Sequence, residues 1–367
     1  MKIKPFTCFL CAVAVILIAA APFVVQTCFE ELPEIQGYKG VLTLWNITDW
    51  RTAGSSCASY LKKRVESFES RNAYIFIDIV NLSKEEAAES VINGEAPDII
   101  SYPLGFDSGL DVFSLPHVDT IFPKIKDTAY PYMCGAYCMA VNTDMLDEVG
   151  LFAPSGWGIR PDDLIEIAKL GVCFDSEKGY SSLPAVAVHE YPETEGPGLS
   201  TWEEPELPDA ALSISVADYS NGLNCFCSEK ACIMIASQRQ LFELTELNLD
   251  GSAPAFQPYA FSGYTDMVQL VSVASCENNK KLAACIEFAQ YLLSEESQKK
   301  LEALGVFPVL PGLPVYSASD CFRDMYGLLS EHACLAPPEE REYIDSLSKE
   351  ALGGNKSALQ QLRNMLD

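Results

Sequence analysis

The sequence predicts an α/β fold, and three observations carry that prediction. Short apolar strands alternate with amphipathic helical stretches from residue 41 to residue 101, the rhythm of an α/β sheet whose ligands bind beyond the strand ends. Of 367 residues, 49% are hydrophobic, enough for a sizeable core in one large or two ordinary domains. No internal repeat with a period of about 20 to 50 residues is present, which sets solenoids and propellers aside.

Val41, Leu42, Leu44 and Trp45 form the first strand, and a turn-rich stretch from Asn46 to Ser55 follows it. Tyr60, Leu61, Val65 and Phe68 then recur at helical spacing, with Lys62, Lys63, Arg64 and Glu66 on the wet side. The β-branched run from Tyr74 to Leu82 predicts a second strand. Ser83 and Glu86 fit a capping box for a helix over 83–93, and Gly94 stops it. Asp98, Ile99, Ile100 and Ser101 make a third short strand. A second region begins near Tyr137, with a strand from Cys138 to Val141 and a short helix from Asp144 to Val149 closed by Gly150. Pro161 opens a helix whose apolar face is Leu164, Ile165, Ile167, Ala168 and Leu170, and residues 184–208 read as loop. Further strands are predicted over 231–236 and 263–275. The stretch from Leu282 to Pro311 encodes two helices and a stop: Ala284, Phe288, Tyr291 and Leu292 form a stripe, and Ser294 caps a second helix led by Glu295 and Glu296. Gly305 suits a left-handed closing residue, and Pro308 and Pro311 prevent the helix from resuming.

A formal charge of −26 opposes nucleic-acid backbones as partners, since those demand Lys and Arg to displace counterions. Membrane attachment is expected instead from the start of the chain, where Lys2 and Lys4 precede an apolar run from Phe6 to Cys28. Residues 1–28 are predicted to be a signal peptide or an N-terminal membrane anchor, with 29–39 as spacer. Ala19 and Ala21 offer a cleavage site, and Cys28 is a candidate for lipidation although Val25, Gln26 and Thr27 depart from the usual small-residue pattern. The fourteen cysteines form no zinc framework; most read as small buried side chains, and Cys225 with Cys232 is the first disulfide to consider.

His117, His189 and His332 are far apart, and no nucleophile elbow or phosphate-binding glycine loop is present, so no catalytic residue is assigned. Glu203, Glu204 and Glu206 read as a solvated acidic loop rather than an acid/base pair. Aromatic residues at apparent strand ends are more suggestive: Trp45, Trp50, Tyr102, Tyr137, Trp202, Tyr219, Phe261 and Tyr264. Rings that stack on apolar faces, beside groups that hydrogen-bond hydroxyls, are what sugars need; the alternative for any one ring is core filling.

Five segments occur in the order found in a known family: VLTLW from Val41, GEAPDII over 94–100, GAYCMAVNTDML over 135–146, ACIMIASQR over 231–239, and EFAQYLLSEESQKKLEALGVFPV over 287–309. On these the chain resembles the extracellular solute-binding proteins of ATP-binding-cassette importers, in particular those for sugars and oligosaccharides, from about Val41 to Pro311. The resemblance implies a two-lobed periplasmic-binding-protein-like fold with a central cleft and hinge crossovers. Lobe 1 would comprise 40–134 and 258–307, and lobe 2 would comprise 135–257 and 308–367. Tyr102 then follows PDII where the family presents a ring to the ligand, and Gly135, Ala136 and Tyr137 lie at the first crossover. Arg239 stands where a tryptophan is common, which admits an acidic sugar or another anion, or else an ion pair with a neighbouring carboxylate. Trp157 matches a position that is usually structural. The implied function is capture of a sugar or anionic small molecule on the outer face of the membrane and its delivery to permease subunits, with no cofactor. A sensing or adaptor module on the same fold, or an anchored glycan-active enzyme, are the competing expectations.

Overall fold

In a computed structural model the described residues are 37–123, 125, 127–150, 170–174, 222–260, 263–335, 343–344, 346–347, 350 and 355–366. The expected leader, the helix opened by Pro161 and the loop over 184–208 lie outside them. Contacts divide the chain into Met1–Lys39 and Gly40–Asp367, and everything below belongs to the second unit.

The first strand, β1 (Gly40–Ile47), leads to α1 (Cys57–Glu69), β2 (Ile75–Leu82), α2 (Lys84–Ile92) and β3 (Ile99–Pro103). α1 forms because Cys57, Tyr60, Leu61, Arg64, Val65 and Phe68 fall on one buried stripe, and Ser56 caps it by accepting from the Ser59 amide. The capping box expected at α2 is present: Glu86 accepts from the Ser83 amide at 2.8 Å while the Ser83 hydroxyl accepts from Glu86 at 3.1 Å. The chain continues through β4 (Tyr130–Cys134), β5 (Tyr137–Asn142), α3 (Thr143–Glu148), β6 (Val172–Phe174), α4 (Gly222–Cys227), β7 (Ile233–Ser237), α5 (Gln238–Leu249), β8 (Phe256–Ala260) and β9 (Val268–Val273). After these come α6 (Asn279–Leu292), α7 (Glu295–Lys299), α8 (Asp320–His332) and α9 (Lys356–Leu366).

Two sheets result. The first has the order β2-β1-β3-β9-β4, with β1 parallel to β2 and β3 and with β9 antiparallel to both β3 and β4. The second has the order β6-β7-β5-β8. Because β9 returns to the first sheet after β8 has joined the second, the first sheet is built from two separate stretches of chain. The crossings lie side by side. Gly135 donates to the Met267 carbonyl at 2.7 Å, Ala136 donates to Gln238 Oε1 at 2.9 Å, and Cys134 and Phe307 exchange backbone hydrogen bonds of 3.0 and 2.8 Å. A Cβ on Gly135 would lie 3.0 Å from both the Gln238 amide and Met267 Cβ, so a side chain there would push the crossings apart.

Two strands depart from the sequence expectation for one reason. No strand is expected from the sequence at β4 or β8; each carries a proline (Pro131, Pro258) and each is at the edge of its sheet, where a missing N–H costs no ladder bond. β8 therefore belongs to the second sheet, and the return crossing falls between Ala260 and Val268 rather than at Pro258.

The stretch from Leu282 to Pro311 forms the predicted helix pair, α6 and α7, with Ser294 capping α7. Its last turn tightens into a 3₁₀ helix over Lys300–Leu304, which Gly305 ends at φ 67°. α6 and α7 pack on α1, through Phe68 edge-on to Phe288 at 5.2 Å and through the Tyr60 hydroxyl donating to Ser297 at 3.1 Å. Gln298 is fully buried and its amide joins three segments. It donates to the Tyr132 and Leu292 carbonyls and accepts from the Val309 amide, each at 2.8 Å. Gln298→Leu keeps the volume but leaves these three backbone groups without partners. Urea unfolding should show a loss of about 3 kcal/mol, and a loss under about 0.5 kcal/mol would contradict this account of the joint.

Candidate functional site

β1 and β2 are parallel in register from Gly40 opposite Ile75 to Ile47 opposite Leu82, so both strands release the chain at the same edge of the sheet. A cavity of about 570 Å³ opens there. Asn46, Asn81 and Leu82 contribute from the strand ends, and Thr48 with residues 50 to 58 supplies the rest, including Trp50, Arg51 and Ser55. Among the described residues no carboxylate lines it. The start of α1 also faces this edge, with no acidic residue in its first turn, so the positive helix end is not neutralised locally.

The walls are fixed from behind by a buried polar network. The Asn46 amide donates to Asn81 Oδ1 at 2.8 Å, and Asn46 Oδ1 accepts from the Ser101 hydroxyl at 3.3 Å and the Cys57 thiol at 3.5 Å. Ser101 and the Tyr132 hydroxyl are 2.8 Å apart. From β9, Gln269 Nε2 donates to the Ile47 carbonyl at 2.7 Å and to Ser101 at 3.0 Å. Burial pushes Cys57 up to about 12, with the Tyr132 and Ser101 hydrogen bonds opposing it, so it remains a thiol at neutral pH and acts as a donor. The far end of the loop is tied to the 3₁₀ turn: Ala53 and Gly54 both donate to the Leu304 carbonyl, at 2.9 and 3.0 Å. Asp49 is held aside by Lys84 at 2.5 Å.

The described residues expected at a ligand separate into four groups. Trp50 lines the cavity; it is 7% exposed, and its indole N–H has no hydrogen-bond partner. Trp45 is in the core with Ile47, Ala87 and Ile100, because alternation along β1 turns it to the face covered by α2; Tyr102 packs against the same cluster. The Tyr102 hydroxyl meets that of Ser272 at 2.9 Å and its ring lies 6.3 Å from Phe106. Tyr137 and Tyr264 are both fully buried and stack beside the crossings with ring centres 6.3 Å apart, and Tyr137 donates to Asp266 at 2.7 Å. Arg239, on α5, pairs with Glu243 one turn on at 3.0 Å, the ion-pair alternative to an anion site. Trp202, Tyr219 and Cys28 lie outside the described residues. Asn46, Thr48, Arg51 and Asn81 were not singled out beforehand. The signal for them was the rule that α/β ligands bind past the strand ends, applied to the turn-rich 46–55 stretch.

Other expectations resolve by burial. The described cysteines are thiols, none in a disulfide: Cys232 donates to the Asn142 carbonyl at 3.5 Å, and Cys225 packs against the apolar cluster that holds Cys173. His117 and His332 are exposed, next to Asp119 and Glu331 respectively. Among the described residues no cluster of three or more metal-ligating side chains occurs, and no helix is long and apolar enough to cross a membrane.

No protein-family model and no curated protein matches the sequence. Solved structures do match over nearly their whole length. A substrate-binding protein from Listeria monocytogenes in complex with cycloalternan aligns at 14% identity and a TM-score of 0.57, covering 89% of this chain and 98% of that one. A cyclic alpha-maltosyl-1,6-maltose binding protein from Arthrobacter globiformis aligns at 14% identity and 0.59, covering 90% and 98%. A sugar transporter from Rhizobium etli in an open conformation aligns at 13% and 0.59, covering 89% and 99%. This likeness shows the fold, the two-lobed α/β architecture of solute-binding proteins.

The cavity's dependence on the distant turn is testable. A Cβ at Gly305 would lie 2.6 Å from Ala53 Cβ and 2.7 Å from the Phe242 ring, at a φ that disfavours it in any case. Gly305→Ala should cost about 2 kcal/mol and speed hydrogen exchange over 51–56. Unchanged exchange there would separate the turn from the cavity.

Proposed function

We propose that the chain binds a polar solute, a sugar or oligosaccharide, in the cavity at the carboxyl ends of β1 and β2 and delivers it to an ATP-binding-cassette permease on the outer face of the membrane. The observation that carries this reading is the wall itself: among the described residues, a tryptophan ring beside amides, hydroxyls and the Arg51 guanidinium, at strand ends and without a carboxylate. A ring covers an apolar sugar face, and the amides and hydroxyls satisfy its hydroxyl groups. Glycoside hydrolysis ordinarily needs a pair of carboxylates, and among the described residues this wall supplies neither. The fold supports the reading, since one matched protein of the same architecture is in complex with cycloalternan and another is a cyclic alpha-maltosyl-1,6-maltose binding protein. The apolar run ending at Cys28 and the net charge of −26 fit export of the chain, cleaved, lipidated or anchored. Of the aromatic residues expected at the ligand, Trp50 is the one this reading places in contact with it. Closure of the two lobes would follow from the solute's higher affinity for the closed form.

Titration calorimetry against neutral oligosaccharides and acidic sugars should give saturable binding for at least one, and Trp50→Ala should weaken it by about tenfold or more. Absence of heat across the panel, or unchanged affinity in the variant, would overturn the reading. So would release of cleaved sugar from any panel member.

A further inference from the structure

We propose that Cys173 and Cys225 form a redox-active pair that closes to a disulfide between β6 and α4. The geometry comes from the packing of α4 on β6. The Cys173 thiol donates to the carbonyl of Gly222, the residue that opens α4, at 3.3 Å. Cys225 lies three residues further along the same short helix, so it sits above Gly222 on the face turned to the strand. Cys173 belongs to an apolar cluster with Phe226, Ala231 and Met234, and Cys225 packs against that same cluster. Cys173 is buried at 2% exposure, whereas Cys225 is half-buried, so one member of the pair is within reach of a reagent.

Local structure also prepares Cys225 to act first. α4 ends in a left-handed turn at Glu229, φ 57°, in which Lys230 donates to the Cys225 carbonyl and Glu229 to that of Phe226, both at 3.0 Å. That turn folds Lys230 back over Cys225. Once Cys225 ionises, the Cys173 thiol proton can turn from the Gly222 carbonyl to the Cys225 sulfur; this hydrogen bond, and behind it the Lys230 charge, bring Cys225 down to about 6 against the opposing effect of burial. Neighbouring sulfurs are driven the other way: burial raises Cys227 and lifts Cys232 to about 11.

With a small disulfide as oxidant the step balances. The Cys225 thiolate attacks one sulfur of the oxidant, forming a mixed disulfide and expelling one thiolate. Cys173 then loses its proton and attacks the Cys225 sulfur, closing the protein disulfide and expelling the second thiolate. Two electrons pass to the oxidant, which leaves as two thiols.

The full chain should be equilibrated with oxidised glutathione, quenched in acid, blocked with N-ethylmaleimide, digested and mapped by mass. The expected product is a Cys173–Cys225 cross-link that dithiothreitol reverses. A persistent glutathione adduct on Cys225, a bridge from Cys225 to Cys227 or Cys232, or no oxidation at either residue would overturn the proposal. In the reduced chain, iodoacetamide at pH 6 should label Cys225 about 20-fold faster than an unperturbed thiol, the excess thiolate outweighing its lower nucleophilicity. Cys173→Ala should abolish most of that advantage, and an undiminished rate in the variant would contradict the pairing. The mapping requires no variant, so it decides the matter even where Cys173→Ala does not fold.

Discussion

The side-chain amide of Gln269 is the contact on which the candidate site depends. It reaches from β9 to the Ile47 carbonyl and to Ser101, fixing the ends of β1 and β3 against each other at a point 222 residues distant in sequence from Ile47. Because it is fully buried, those bonds have no water to replace them, and an amide set loose there would carry a desolvation penalty. Through Ser101 the network continues to Tyr132 and to Asn46 with its partner Asn81, so all five strands of the first sheet share one polar joint. The cavity wall is therefore assembled only once the chain has visited the second sheet and returned. A lobe cut at the first crossing would lack β9 and with it the support for the loop beyond Ile47.

The same return explains why the 3₁₀ turn before Gly305 matters. Leu304 holds the loop at Ala53 and Gly54, and Gly305 leaves room for Ala53 and the Phe242 ring. Phe242 comes from α5, and its ring lies 4.6 Å from Phe322 of α8, which in turn stacks on Phe307 at 5.9 Å. Aromatic packing thus links the cavity's outer anchor to helices that belong with the second sheet. A change in how those helices sit would be felt at the loop, which is the physical requirement for coupling a bound solute to lobe movement.

Much of the first sheet is legible in the sequence. Local signals sufficed there: the apolar runs of β1 to β3, the Ser83–Glu86 box and the Gly94 stop act over a few residues. β4 and β8 were not legible, because a proline breaks a strand or marks its edge according to neighbours that come from elsewhere in the chain. The candidate site was legible in position but not in membership. Aromatic residues near strand ends drew attention, yet alternation along β1 sends Trp45 into the core while Trp50, five residues on and past the strand, reaches the cavity. The amides of Asn46 and Asn81 carry no sequence signal of their own; parallel register brings them opposite each other. Arg239 drew attention as a departure from a family pattern, and it pairs with Glu243 one helical turn away.

The central claim is that the solute sits between the strand ends of β1 and β2 against Trp50. A crystal structure of the chain with the sugar that binds most tightly tests it directly. The account predicts density for the sugar within hydrogen-bonding distance of Asn46 or Asn81 with one face on the Trp50 ring. Density for a bound sugar elsewhere, with this cavity holding only solvent, would contradict it.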